Sequence, residues 1–204
     1  MKIRWPRPGV RPLAGAAAFA VLAAGAGVWT AASGAETPVH REERYLTVPE
    51  SPGSKETVRL DTAFHTAGPK SVRRPAVLLA HGFGGSKDDL RDQADRLARD
   101  GYAVLTWTAR GFGRSAGRIG LNDPDREVAD VSRLIDWLAR RPEVRLDGAG
   151  DPRVGIAGAS YGGAVALLAA GYDRRVDAIA PSITYWNLAD ALFPNGGFKK
   201  MWSG

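Results

Sequence analysis

Ser160 stands in Gly158-Ala159-Ser160-Tyr161-Gly162, a glycine-x-serine-x-glycine run followed by Gly163 and Ala164. A serine so flanked can attack a carbonyl carbon if the chain turns sharply and lifts its hydroxyl clear of the backbone. Glycine at 158 and 162 is what such a turn requires, because a Cβ there would strike neighbouring main chain. Such a motif also arises by chance as a plain tight connection, so its surroundings decide. Val154–Ala157 before it is apolar enough for a buried strand, and Ala164–Ala170 after it is small and apolar, suited to a helix packed on a sheet. The helix would also point its N-terminal dipole at Ser160, favouring negative charge there.

A second segment fits the same chemistry. His81-Gly82-Phe83-Gly84-Gly85 directly follows the apolar run Ala76–Ala80. A His-Gly turn after such a strand lets backbone amides approach a carbonyl oxygen as it becomes an oxyanion. The expected donors are the main-chain N–H groups of Phe83 and Tyr161, with Gly82 allowing the approach. His81 is expected to order this loop by hydrogen bonding rather than to act as a base, since it precedes the serine in the chain.

A third segment competes. Gly111-Phe112-Gly113-Arg114-Ser115-Ala116 satisfies the spacing of a dinucleotide fingerprint. That fingerprint needs its last small residue inside an opening helix, whereas Gly117, Gly120 and Asn122 keep this stretch in loop. A structural loop beside the site is the expectation.

The elements that must hold these groups follow from periodicity. Arg44–Val48, Thr57–His65, Ala76–Ala80, Tyr102–Trp107, Arg153–Ala157 and Val176–Ala180 read as strands. Helices are expected from about Lys87 to Arg99, with Leu90, Ala94, Leu97 and Ala98 on one stripe, from Asp123 to about Arg141, and over Tyr161–Gly171. Asp123 is the expected cap of the second helix and Pro124 its first residue. Strands alternating with helices predict an α/β class with a mostly parallel sheet covered on both faces.

The first 35 residues carry Lys2, Arg4, Arg7 and Arg11 and no acid, then an apolar run from Leu13 to Val28 and small residues Ser33-Gly34-Ala35. This predicts a signal peptide cleaved after Ala35 and a secreted protein; an uncleaved leader anchored at the outer membrane face is the alternative. A polar tether is expected over 36–43, and a partial catalytic domain over 44–204. Removing the four leader cations takes the formal charge from +6 to 24 basic against 22 acidic residues, or +2. That balance argues against nucleic-acid partners. The chain has no cysteine, which excludes disulfides and thiol catalysis. Nothing calls for a metal or cofactor, and nothing fixes an oligomeric state.

Together, the His81 loop, Ala109-Arg110-Gly111-Phe112-Gly113-Arg114-Ser115, the Ser160 run, Ala180-Pro181-Ser182-Ile183-Thr184-Tyr185-Trp186-Asn187 and Leu192-Phe193-Pro194-Asn195-Gly196 resemble the X-prolyl dipeptidyl-peptidase and cocaine-esterase family. The resemblance runs from about Val58 to Lys199. It implies an α/β-hydrolase fold and a serine hydrolase of small ester, amide or peptide substrates, with Ser160 as nucleophile. It also implies a helical cap and two further strands carrying the acid and the histidine. Some members use a tyrosine side chain from the His-Gly loop region, where this chain has Phe83. After Ser160 there is no histidine, and the acids are Asp173, Asp177 and Asp190, of which Asp190 is a weak candidate. The expectation is a chain lacking its C-terminal hydrolase segment and nearly inactive by itself. A non-catalytic binding protein or remnant is the alternative. Trp186, Leu188, Leu192, Phe193, Met201 and Trp202 crowd the tail with no later element to cover them.

Overall fold

A computed structural model describes residues 36–199; the leader, its cleavage site and the tail residues Met201 and Trp202 lie outside them. Six strands form one sheet in the order Val39–Pro49, Thr57–Ala67, Ala103–Trp107, Ala76–Ala80, Val154–Ala159, Val176–Ser182. Antiparallel pairs join β1 (Val39–Pro49) to β2 (Thr57–Ala67) and β2 to β4 (Ala103–Trp107). β3 (Ala76–Ala80), β7 (Val154–Ala159) and β8 (Val176–Ser182) continue it in parallel. The expected α/β-hydrolase class is therefore the observed one, with helices on both faces.

One face is covered by α1 (Arg91–Arg99), whose Ala94 and Ala98 pack on Leu79 and Val104. The other is covered by α2 (Ala129–Ala139) and α3 (Tyr161–Tyr172), whose Leu134, Ile135, Leu138, Val165 and Ala166 meet Leu78, Leu105 and Ile156. Central strands clad on both sides read as unbroken apolar runs for this reason.

Several boundaries differ from expectation. β1 starts at Val39, so Val39–Glu43, read as tether, pairs with β2 from Val39 opposite Ala67 onward. As an edge strand with much of its surface in water, it has no apolar alternation to announce it. The helix expected from Lys87 opens as a 3-10 turn over Lys87–Leu90 with a Ser86–Asp89 capping box. Asp123 caps the next helix, accepting from the Asp125 N–H at 2.9 Å, with Pro124 first as expected. Its opening turn is π-wound over Pro124–Val128, and α2 stops at Ala139 rather than near Arg141. A small hairpin of β5 (Leu146–Gly148) and β6 (Asp151–Pro152) has no counterpart in the expectations.

β8 is the sheet's edge, and Ile179 on it is exposed. The tail continues in a short α4 (Leu188–Leu192). Ile183 is 92% and Trp186 88% exposed. No helix among the described residues is long and apolar enough to cross a membrane.

Candidate active site

Ser160 sits between the end of β7 and the first residue of α3, at φ +54° and ψ −117°. A non-glycine residue in that region is strained, and the strain persists only where surroundings enforce it. Here they do. The Ser160 N–H donates to the Ser182 carbonyl at 3.0 Å, and its own carbonyl accepts from Thr184 Oγ1 at 2.7 Å and from the Ala164 N–H at 3.1 Å. Glycine makes the bend feasible. A Cβ on Gly158 would lie 2.6 Å from the Gly162 carbonyl carbon and 2.9 Å from the Ala80 oxygen, and one on Gly162 2.8 Å from the His81 oxygen. The serine is exposed at the bend, not buried among helix contacts.

The His81 loop lies against this turn. Gly82 comes close to the Ala159 carbonyl: a Cβ there would sit 3.9 Å from it. The His81 ring is buried, with Nδ1 2.7 Å from the Gly82 carbonyl, to which it donates, and Nε2 accepting the Ala109 N–H at 2.9 Å. Both nitrogens are thus committed and the tautomer is fixed. Burial pulls its pKa below the usual histidine value, against the smaller pull of the Gly82 bond. His81 thus bridges the loops after β3 and β4.

Ser160, Tyr161 and Phe83 line one cavity of about 320 Å³, whose other walls include Leu121, Tyr185, Leu188, Leu192 and Phe198. The Phe83 ring packs edge-on against Phe112 and Tyr161, with centroids 5.2 and 5.6 Å away. The Tyr161 N–H belongs to the first turn of α3, where amides have no carbonyl within the helix to bond. The structure therefore brings Ser160 together with Phe83 and Tyr161, the two residues that the sequence singled out as its oxyanion donors. Asp190 is not among them: it is exposed on α4, while Leu188, Ala191 and Leu192 of that helix face the cavity.

The glycine-rich loop after β4 is bound to β2. Ser115 Oγ donates to the Thr108 carbonyl at 2.6 Å and accepts from the Asp61 N–H at 2.9 Å. Arg114 Nε reaches Asp61 at 2.9 Å, and Phe112 supports Phe83 from below. No helix opens between Trp107 and Pro124, so the requirement of a dinucleotide fingerprint is unmet.

A buried polar network beneath the site escaped sequence reasoning. Asn122 donates from Nδ2 to the Tyr161 carbonyl and to Tyr185 Oη, each at 3.1 Å, and from its main chain to Tyr161 Oη at 3.0 Å. Tyr161 Oη in turn donates to Glu127 Oε1 at 3.2 Å, and Glu127 also accepts from the Gly120 and Asp123 N–H groups. Burial, with Glu127 alongside, raises the Tyr161 phenol pKa well above its usual value. The only sequence signal was Leu121-Asn122 before Asp-Pro: Asn tolerates the left-handed backbone seen here at φ +63°. Nearby, Arg110 holds Asp130 with contacts of 2.6 and 2.8 Å and donates to the Glu50 carbonyl at 2.8 Å.

Comparison with known proteins agrees with this architecture. The sequence model of the family described as X-Pro dipeptidyl-peptidase (S15 family) matches residues 56–202. The chain is 37% identical over 111 residues to the quorum-quenching protein AidA of Acinetobacter baumannii, covering 53% of this chain and 34% of that protein. It is 32% identical over 122 residues to the thiohydrolase aneE of Aspergillus aculeatus, covering 58% and 36%. Among solved structures, the α/β hydrolase GrgF from Penicillium superposes with a TM-score of 0.56 at 26% identity, over 70% of this chain and 46% of that one. The hypothetical protein PA2218 of Pseudomonas aeruginosa reaches 0.60 at 22% identity, over 80% and 48%, a likeness of fold. The chain spans 30% to 39% of the length of the curated relatives it matches.

Proposed function

The chain belongs to the X-Pro dipeptidyl-peptidase family S15, and we propose that it carries the nucleophile of a serine hydrolase of ester, amide or peptide bonds. The single observation behind this reading is the strained Ser160 at a strand-to-helix bend, opening with Phe83 and Tyr161 into one cavity. Ser160 Oγ bonds to the carbonyl carbon of the substrate while a base takes its proton. The oxyanion is received by the main-chain N–H groups of Phe83 and Tyr161. The leaving group departs with a proton, and water then releases the acid from the acyl-serine. One oxyanion donor is typically worth about 100- to 1000-fold in turnover.

The base is the part this sequence does not supply. Its histidines are His40, His65 and His81. His81 has both nitrogens engaged. His65 is buried on β2 with Nδ1 2.7 Å from Asp95. His40 lies on β1, four strands from β7 in the sheet order, or roughly 19 Å at the usual strand spacing. We therefore assign the acid and histidine to a C-terminal hydrolase segment outside these 204 residues, and the 204-residue polypeptide alone to very slow turnover. A serine without a base is a weak nucleophile.

The test is hydrolysis of 4-nitrophenyl acetate by the 204-residue chain with and without added imidazole. Imidazole should accelerate a Ser160-dependent reaction, absent from Ser160→Ala. Fast hydrolysis without imidazole would show that a base is already in place. Turnover equal in Ser160→Ala would favour the non-catalytic, binding-protein reading. We further assign residues 1–35 to export, so the mature protein should begin at Glu36 by N-terminal sequencing and be recovered outside the cytoplasm.

A further inference from the structure

The cavity beside Ser160 is walled by Phe83, Leu121, Leu188, Ala191, Leu192 and Phe198, with Tyr185 at one side and Lys199 as its single charged residue. No carboxylate among the described residues lines it. On α4, Leu188, Ala191 and Leu192 recur at i, i+3 and i+4, so that helix turns one apolar stripe inward and leaves Asp190 exposed. Glu127, which touches the wall residue Tyr161, is buried and accepts from Tyr161 Oη and from the Gly120 and Asp123 N–H groups. Lys199 is exposed.

We propose that this cavity takes the apolar acyl chain of an uncharged or anionic substrate and disfavours one bearing a free ammonium group. Release of dipeptides from a peptide amino terminus requires a site for that terminus, and an ammonium brought here would meet Lys199 instead of a carboxylate. At about 320 Å³ the space is at the small end of ligand pockets, which commonly run from roughly 300 to 1,000 Å³. That suits a medium-length chain better than a long one. The substrate class is thus an ester with an apolar acyl chain of medium length. This inference rests on the serine-hydrolase reading for its chemistry, but not for its binding.

The experiment compares three ligands that share an eight-carbon chain and differ in head group with a dipeptide that has a free amino terminus. Octanoate, 1-octanol, octylammonium and the dipeptide Gly-Pro are titrated into the 204-residue chain by calorimetry. Octanoate should bind at least about 10-fold more tightly than octylammonium, with Gly-Pro weaker still. From butanoate to octanoate, affinity should climb about fourfold per methylene. Ala191→Trp, which fills the cavity, should weaken the eight-carbon ligands more than 10-fold. Lys199→Gln, an exposed change that leaves the fold alone, should bring octanoate and octylammonium within about threefold of each other. Octylammonium or Gly-Pro binding as tightly as octanoate would overturn the proposal, as would affinity indifferent to chain length or to Ala191→Trp, or no saturable binding. Ser160→Ala separates the two readings. Binding kept while Ser160 shows no reactivity would remove the hydrolase and leave the pocket, and Ser160 reactivity without these preferences would do the reverse.

Discussion

Asn122 clasps Tyr161 at both ends: its side chain donates to the Tyr161 carbonyl at 3.1 Å and its main-chain N–H to the Tyr161 hydroxyl at 3.0 Å. Tyr161 is the first residue of α3, so this clasp holds the turn that carries Ser160. Asn122→Ala removes the side-chain bonds and places alanine at φ +63°. We expect a loss of about 2–3 kcal/mol in chemical denaturation. Asn122→Gly relieves the backbone strain but not the missing bonds, and should recover about 1 kcal/mol of that loss. Equal losses would show that the backbone conformation contributes nothing.

Glycines of the elbow separate from glycines elsewhere. Gly158→Ala sets a methyl against Gly162 and Ala80 main chain at 2.6–2.9 Å, none of which can swing aside. It should destabilise by about 3 kcal/mol or more, or prevent folding. Gly171→Ala, on the exposed end of α3 with no atom within 4 Å of the new Cβ, should stabilise by about 0.5 kcal/mol. Thermal melts of the two variants should move in opposite directions.

The Arg110–Asp130 pair makes a pH prediction with a definite sign. Burial pushes the Asp130 carboxyl up to about 6 from 3.8, outweighing the opposing pull of Arg110, with Glu127 and Glu50 raising it further. A folded-state pKa above the unfolded one means that the native protein holds the extra proton between these values. Asp130's contribution to stability is then full below about pH 4 and is lost as pH rises through 6. The slope can reach about 1.4 kcal/mol per pH unit. His65 and His81, both lowered by burial, act the other way, since their contribution falls away as pH drops below 6.5 toward their folded pKa values. The readout is therefore the difference between the native chain and Asp130→Asn, which should widen from pH 7 to pH 4. At neutral pH the two should lie closest, because the native chain then carries the ionised carboxyl that burial disfavours.

His81 offers a sharper probe of the loop. His81→Ala leaves the Ala109 N–H without its acceptor and frees the Gly82 carbonyl. A loss of about 2–4 kcal/mol is expected in denaturant melts. Were His81 instead a catalytic base, the variant would keep its stability and lose only reactivity.

What the sequence made readable was local. The elbow's glycine spacing, the apolar run of β3 and the Asp123-Pro124 start are encoded within a few residues, and each appears where its pattern placed it. β1 is longer than its sequence suggests because an edge strand in water needs no apolar alternation, which makes Val39–Glu43 resemble a tether. The β5–β6 hairpin buries too little to leave a pattern. Asn122, Glu127 and Tyr185 were invisible as site neighbours because they meet Tyr161 or each other across 34 to 63 residues of chain. Leu188 and Leu192 read in the sequence as an uncovered apolar tail, yet they line the same cavity as Ser160.

Identifying the residue that a fluorophosphonate probe modifies bears most directly on the whole account. Prolonged incubation of the 204-residue chain, then intact mass and peptide mapping, should give one slow adduct on Ser160, quickened by imidazole and absent from Ser160→Ala. An adduct on any other residue, or labelling of Ser160→Ala at the native rate, would contradict it.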